Sequence, residues 1–144
     1  MLKSKESTRS IHRAQVSWQQ SKMDCQIAKS SLKTQPDKSS LQSAQAAMNA
    51  LSSILEAHGY FQLPTFSTIE LLDKCVTIEP SFDELRADCN LLDGTVERDM
   101  FGTTRTTHIR FTPAFAKACV KACERIHTQT KKYWKQNKNR FFSP

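Results

Sequence analysis

Apolar and small residues recur at three-and-four spacing over long stretches of the chain, while runs of β-branched residues are nearly absent and glycine occurs only three times. That pattern predicts helices rather than sheet. The first helix spans about residues 8–32, with Ile11, Ala14, Trp18, Ser21, Cys25, Ala28 and Leu32 on one stripe. Gln35-Pro36-Asp37 ends it and begins a turn. The second runs from about Ser39 to His58 and buries Leu41, Ala44, Ala47, Met48, Leu51, Ile54 and Leu55. Gly59 supplies the left-handed residue past its end, and Pro64 confirms the break.

Two capping boxes follow, Ser67-x-x-Glu70 with Ile69, Leu71 and Leu72, and Ser81-x-x-Glu84 with Leu85, Cys89, Leu91 and Leu92. They predict a third helical region in two pieces, interrupted near Glu79-Pro80. Gly94 ends that region, and the polar, threonine-rich stretch up to Arg110 reads as a long loop, of a length that is often functional. Thr112-Pro113 starts the last helix with a hydroxyl cap and a proline at the first helical position; it buries Phe115, Ala118, Cys119, Ala122, Ile126 and Tyr133.

Helices joined by mostly short links describe an all-α, antiparallel bundle of four to five helices in which the first begins at the end where the last finishes. A length of 144 residues fits one domain with one core. The expected organisation is a flexible basic N-terminus over residues 1–7, the bundle over 8–136 and a basic, aromatic tail over 137–144. No apolar run approaches the roughly 20 residues of a membrane span, and no apolar stretch follows the lysines of the first ten residues. The expectation is a protein of the cytosol or nucleus without a membrane partner, its five cysteines reduced.

Charge sharpens this picture. The chain carries a formal +7, but residues 70–99 hold nine acidic residues against three basic ones, a net −6, so the rest carries +13. The bundle topology brings Lys3, Lys5, Arg9 and Arg13 toward Lys131, Lys132, Lys135, Lys138 and Arg140, interleaved with Tyr133, Trp134, Phe141 and Phe142. Cations mixed with flat rings suit a phosphate plus a stacked base, so nucleotide (ATP or GTP) or RNA is the expected ligand class. The bland alternative is a solvated helix end. A second candidate is the segment 98–110, where Arg98, Arg105, His108 and Arg110 accompany four threonines and can ring a phosphate with bidentate forks and short hydroxyls. Its alternative is a surface loop paired with the acids of residues 70–99. Cys119, Cys123 and His127 share a helix face and are chemically able to hold a soft metal, but no fourth ligand is visible nearby and free cysteine packs well in cores, so no metal is assigned. Trp18 reads as core. No nucleophile elbow, phosphate loop or dinucleotide fingerprint is present, and no cofactor is called for.

The chain from about Ala14 to Lys135 resembles the HEPN domain, and within it the sacsin-like branch. The residues that carry the likeness are Trp18-Gln19-Gln20-x-x-x-Asp24 followed by Ala28, then Leu92 to Arg98, then Arg110-Phe111-Thr112 with Ala116, Ala122 and Cys123. The family's Thr-Arg-Tyr-Pro segment falls at Glu97-Arg98-Asp99-Met100, where only the arginine is kept. The resemblance implies a helical bundle that pairs as a homodimer and, for this branch, nucleotide binding through basic residues. Other members are ribonucleases that use an arginine and a histidine with four to six residues between them; here Arg9 and His12, Arg105 and His108, and Arg125 and His127 are too close. The expected function is therefore a non-catalytic binding and dimerisation module with Arg98, Arg105, His108, Arg110, Lys131, Lys132 and Lys135 as candidate ligand-binding residues. The alternatives are a protein-pairing adaptor without a small ligand, and a degenerate ribonuclease with His108 as general base and Arg105 or Arg110 steadying the phosphate.

Overall fold

A computed structural model of the protein describes residues 2–63, 67–100 and 112–142, with side chains over 8–63, 67–95 and 112–141. These residues form an all-α bundle: α1 (Leu2–Ser31), α2 (Pro36–Ala57), α3 (Thr68–Ile78), a 3-10 segment (Pro80–Leu85), α4 (Arg86–Met100), α5 (Pro113–Gln136) and the short α6 (Lys138–Phe142). There is no strand among them. No helix of the described residues is long and apolar enough to cross a membrane.

The second helix is central because small residues surround it. Ser39, Ser40, Ser43, Ala44, Ala46, Ala47, Ala50 and Ser53 are buried along α2, on faces that a surface helix would leave to solvent. With so little side-chain bulk, α1 lies close against it, antiparallel, and hydroxyls bond across the seam to carbonyls of the neighbouring helix. Ser21 Oγ donates to the Ala46 carbonyl at 2.8 Å and Ser39 Oγ to the Ala28 carbonyl at 2.6 Å. The buried Asp24 carboxylate accepts from Gln20 Nε2 and, across the seam, from Asn49 Nδ2, both at 2.9 Å. The Ser21 and Ser39 hydroxyls and the Asp24 carboxylate thus have partners, as burial at a helix interface requires.

The opposite side of α2 carries the larger apolar residues. Leu51, Ile54 and Leu55 meet Leu71, Leu72 and Cys75 of α3, Phe82 of the 3-10 segment, Leu92 of α4 and Ile126 of α5 in one core. Phe82 is fully buried and stands edge-on to Tyr133, with ring centroids 6.1 Å apart.

Several boundaries differ from the sequence expectation. Pro36 opens α2 at its first position rather than closing a turn, since its fixed φ and missing N–H suit the first helical turn. From Leu2 the expected flexible N-terminus is the start of α1, and the tail after Gln136 is mostly the helix α6. Ser67 does cap α3, its Oγ accepting from the Glu70 N–H at 3.1 Å. The other half of the cap comes from Asp93, which accepts from the N–H groups of Thr68 and Ile69 and from both neighbouring hydroxyls at 2.5–3.2 Å. Ser81 caps nothing; its hydroxyl bonds Glu79, and Pro80 begins a 3-10 segment that runs straight into α4.

Gly94 does not end α4, which continues to Met100. Leu92 and Thr95, both fully buried, pin the helix on either side of it. That packing outweighs the roughly 1 kcal/mol that glycine costs in a helix interior. A Cβ at Gly94 meets nothing within 4 Å, whereas Gly59 sits at φ +91°, where L side chains are strained. Gly94→Ala is therefore expected to raise unfolding free energy by about 0.5–1 kcal/mol and Gly59→Ala to lower it by about 1 kcal/mol, as read by urea denaturation.

Candidate anion-binding site

The antiparallel seam fixes which residues share an end of the bundle: the start of α1, the end of α2 and the end of α5. The chain turns at Asn137, whose side-chain amide donates to the Tyr133 carbonyl at 2.9 Å, and α6 folds back. That turn drives Phe141 edge-on to Trp134 and to His58, with centroids 5.6 and 5.2 Å apart. Arg140 then lies over the Phe141 ring, 5.3 Å from its centroid.

At this end opens a cavity of 680 Å³ lined by Arg9, Arg13 and Arg140, by His58, and by Phe61 and Phe141. Its size falls within the usual range of small-molecule sites, about 300–1,000 Å³. Among the described residues no carboxylate lines it and none forms an ion pair with any of the three arginines. Phe61 stands 68% exposed at the mouth, free to stack on a flat ligand. The connection that holds it turns through Gly59 and through Gln62, which takes φ +56°. A second cavity of 460 Å³ shares Arg13 and Phe61 and runs on toward Ser17 and Glu56. There the Ser17 hydroxyl donates to Glu56, whose carboxyl is raised above its ordinary value chiefly by burial.

His58 is the titratable group at the floor. Its Nε2 shares a 2.6 Å hydrogen bond with the Tyr133 hydroxyl. Burial, helped by the charge of Arg140, lowers its pKa, so the ring is neutral at pH 7.

Of the ligand-binding residues predicted from sequence, Lys131, Lys132 and Lys135 do not line this cavity. Lys131 lines a groove of 370 Å³ on the α1–α5 face with Trp18, Lys22, Lys29 and His127, and Lys132 lies beside Glu79 and Gln129 in another hollow. Lys135 is exposed on α5. Arg98 lies on the last turn of α4 rather than in a loop, and Arg105, His108 and Arg110 fall outside the described residues. What the structure brings together is the other part of the basic end: Arg9, Arg13 and Arg140. His58 and Phe61 were not anticipated. Their signal in the sequence was the pair Tyr60-Phe61, aromatic and directly after a helix-ending glycine.

Trp18 is only partly core, stacked on His127 at 4.4 Å and 17°. Cys119, Cys123 and His127 go to separate partners: Thr95, Cys25 and Trp18. Among the described residues no group of three metal-capable side chains converges. Compared with protein-family models, curated proteins and solved structures, the chain matches none.

The lowered pKa of His58 gives a pH dependence of defined sign. Below the ordinary histidine value of 6.5 the unfolded chain takes up a proton that the folded one resists, so stability falls as pH drops through that value toward the lower folded pKa. His127, lowered mainly by burial, contributes in the same direction. Thermal unfolding is expected at a lower temperature at pH 5.5 than at pH 7.5, and the difference is expected to shrink in His58→Gln.

Proposed function

We propose that the chain is a non-catalytic, HEPN-like helical module that binds a phosphate-bearing ligand of nucleotide size at its basic end. The observation that carries this reading is the cavity in which Arg9, Arg13 and Arg140 converge beside Phe61 and Phe141, with no carboxylate among the described lining residues. Three cations that face one cavity without an ion pair among the described residues repel one another, and a polyphosphate relieves that repulsion; the nearest carboxyl that feels one of them, Glu56 beside Arg13, lies in the adjoining cavity. Arginine suits the task because its guanidinium fork meets two phosphate oxygens at once. The exposed Phe61 ring gives the base a flat surface, and neutral His58 offers a hydrogen bond rather than a fourth charge.

The sacsin-like resemblance points to the same ligand class and adds pairing as a homodimer. Such a module fits the cytosol or nucleus. The adaptor reading, in which the acidic region pairs with the basic end of another copy, is less well supported, because several of those acids are engaged within the chain. Arg86 bonds Asp73 and Asp83, and Arg125 holds Asp88 through two nitrogens. Cleavage has no support from the described histidines: His58 and His127 are held in aromatic contacts, and His12 lacks the spacing.

A thermal-shift titration with ATP, GTP and a short single-stranded RNA, at low and high salt, tests the proposal, since a ligand selective for the native state raises the melting temperature. The expected result is a saturable rise that salt diminishes. Arg140→Ala is expected to weaken binding by about tenfold or more, since one hydrogen bond to a charged group contributes roughly 1.5–3 kcal/mol. Lys132→Ala, on a different surface, is expected to change it less than about twofold. A folded protein with no response to any of the three ligands contradicts the reading.

A further inference from the structure

Away from the basic cavity, on the α1–α5 face, a thiol pair lies at the bottom of the groove formed by Trp18, Lys22, Gln26, Lys29, His127 and Lys131. Cys25 of α1 lines the groove. Its Sγ is 3.7 Å from Sγ of Cys123 on α5, which is 1% exposed behind it. With Ala46 of α2 the two form a small cluster separate from the main core. The other three cysteines are fully buried: Cys75 faces the Leu51 carbonyl, Cys119 faces Thr95, and Cys89 lies in the main core.

We propose that Cys25 and Cys123 form a peroxide-sensitive dithiol that closes into a disulfide tying α1 to α5, with Cys25 as the attacking sulfur and Cys123 as the resolving one. The roles follow from the geometry. Cys25 is the sulfur that borders the groove, and it accepts the hydrogen bond from the Cys123 thiol. That bond, working against burial and helped by the charge of Lys29, lowers the Cys25 pKa to about 7, while donating it and burial push Cys123 up. Burial pushes Cys89 up to about 12 and raises Cys75 as well. The titratable groups described around the pair are Lys22 and Lys29 of α1 and Glu124, His127 and Lys131 of α5, and Ala46 of α2 packs against it. Glu124 is held by Lys29 at 3.2 Å, which leaves the surroundings of the thiolate positive on balance.

The chemistry balances with hydrogen peroxide as oxidant. The Cys25 thiolate attacks one peroxide oxygen, the O–O bond breaks, and hydroxide leaves and takes up the proton that Cys25 had given to solvent. Cys25 is then a sulfenic acid. The Cys123 sulfur attacks the Cys25 sulfur, the S–O bond breaks, and the departing hydroxide takes the Cys123 proton as water. Two thiols and one peroxide give one disulfide and two waters, with two electrons passing from sulfur to oxygen.

The test uses the reduced, full chain treated with hydrogen peroxide, then alkylated, digested and analysed by mass spectrometry. The expected product is one intramolecular link between Cys25 and Cys123, with Cys75, Cys89 and Cys119 alkylated only after denaturation. The initial rate is expected to rise as pH passes through about 7. Cys123→Ser is expected to leave a sulfenic acid at Cys25 that dimedone traps, and Cys25→Ser to abolish the fast reaction. Iodoacetamide labelling of the unaltered native chain provides a second reading that needs no variant: Cys25 is expected to react at least about tenfold faster than any other cysteine. Equal labelling of all five, a sulfenic acid at Cys25 with no link to Cys123, or links only between separate chains overturns the proposal.

Discussion

Close approach of α1 and α2 is the constraint on which the rest of this structure depends. It is made possible by a line of serines and alanines on α2 and by Ala14, Ser21 and Ala28 on α1, all buried. Such a seam gives little hydrophobic energy per residue. Its strength comes from backbone proximity and from hydroxyls that reach carbonyls of the facing helix, at Ser21 and Ser39, with Asp24 and Asn49 joining the two helices midway. Because α2 is slender on that side, its other side has room to carry Leu51, Ile54 and Leu55 into a core shared with every remaining long helix.

The seam also decides where charge accumulates. Its antiparallel register leaves the first turns of α1 level with the end of α2, and the return of α5 brings Arg140 to the same place. An aromatic cluster of His58, Tyr133, Trp134 and Phe141 then fixes α6 so that Arg140 stands over the cavity. A basic cluster that forms no ion pair among the described residues costs stability through self-repulsion. Elsewhere the chain neutralises comparable clusters, as Arg86 and Arg125 do for Asp73, Asp83 and Asp88. The contrast between an acidic region settled internally and a basic end left open is what gives the cavity its functional meaning in the proposed reading.

The helical class, the order of the helices and the meeting of Arg9 and Arg13 with Arg140 were legible because they follow from apolar spacing, capping residues and short links. Thr112-Pro113, Gly59 and the break at Glu79-Pro80 stand where local chemistry placed them. What was not legible depended on tertiary context. Gly94 reads locally as a stop, yet burial of Leu92 and Thr95 carries the helix through it. Asp93, twenty-five residues from Thr68 in sequence, caps α3 more fully than the local Ser67 box does. Trp18 reads as core because its position on the stripe is the same whether it faces a neighbour or the edge of a groove. Of the basic residues, spacing alone cannot tell which of Arg9, Arg13, Lys131, Lys132, Lys135 and Arg140 share a cavity, since they lie on different faces of their helices at one end of the bundle.

The most direct test of the central claim is a two-dimensional ¹H–¹⁵N NMR titration of the chain with ATP at low ionic strength. Saturable shifts are expected, concentrated at residues 9–13, 57–62 and 137–142, with the α1–α5 groove around Lys22 and Lys131 little changed. Shifts confined to that groove, or none at all at millimolar nucleotide, contradict it.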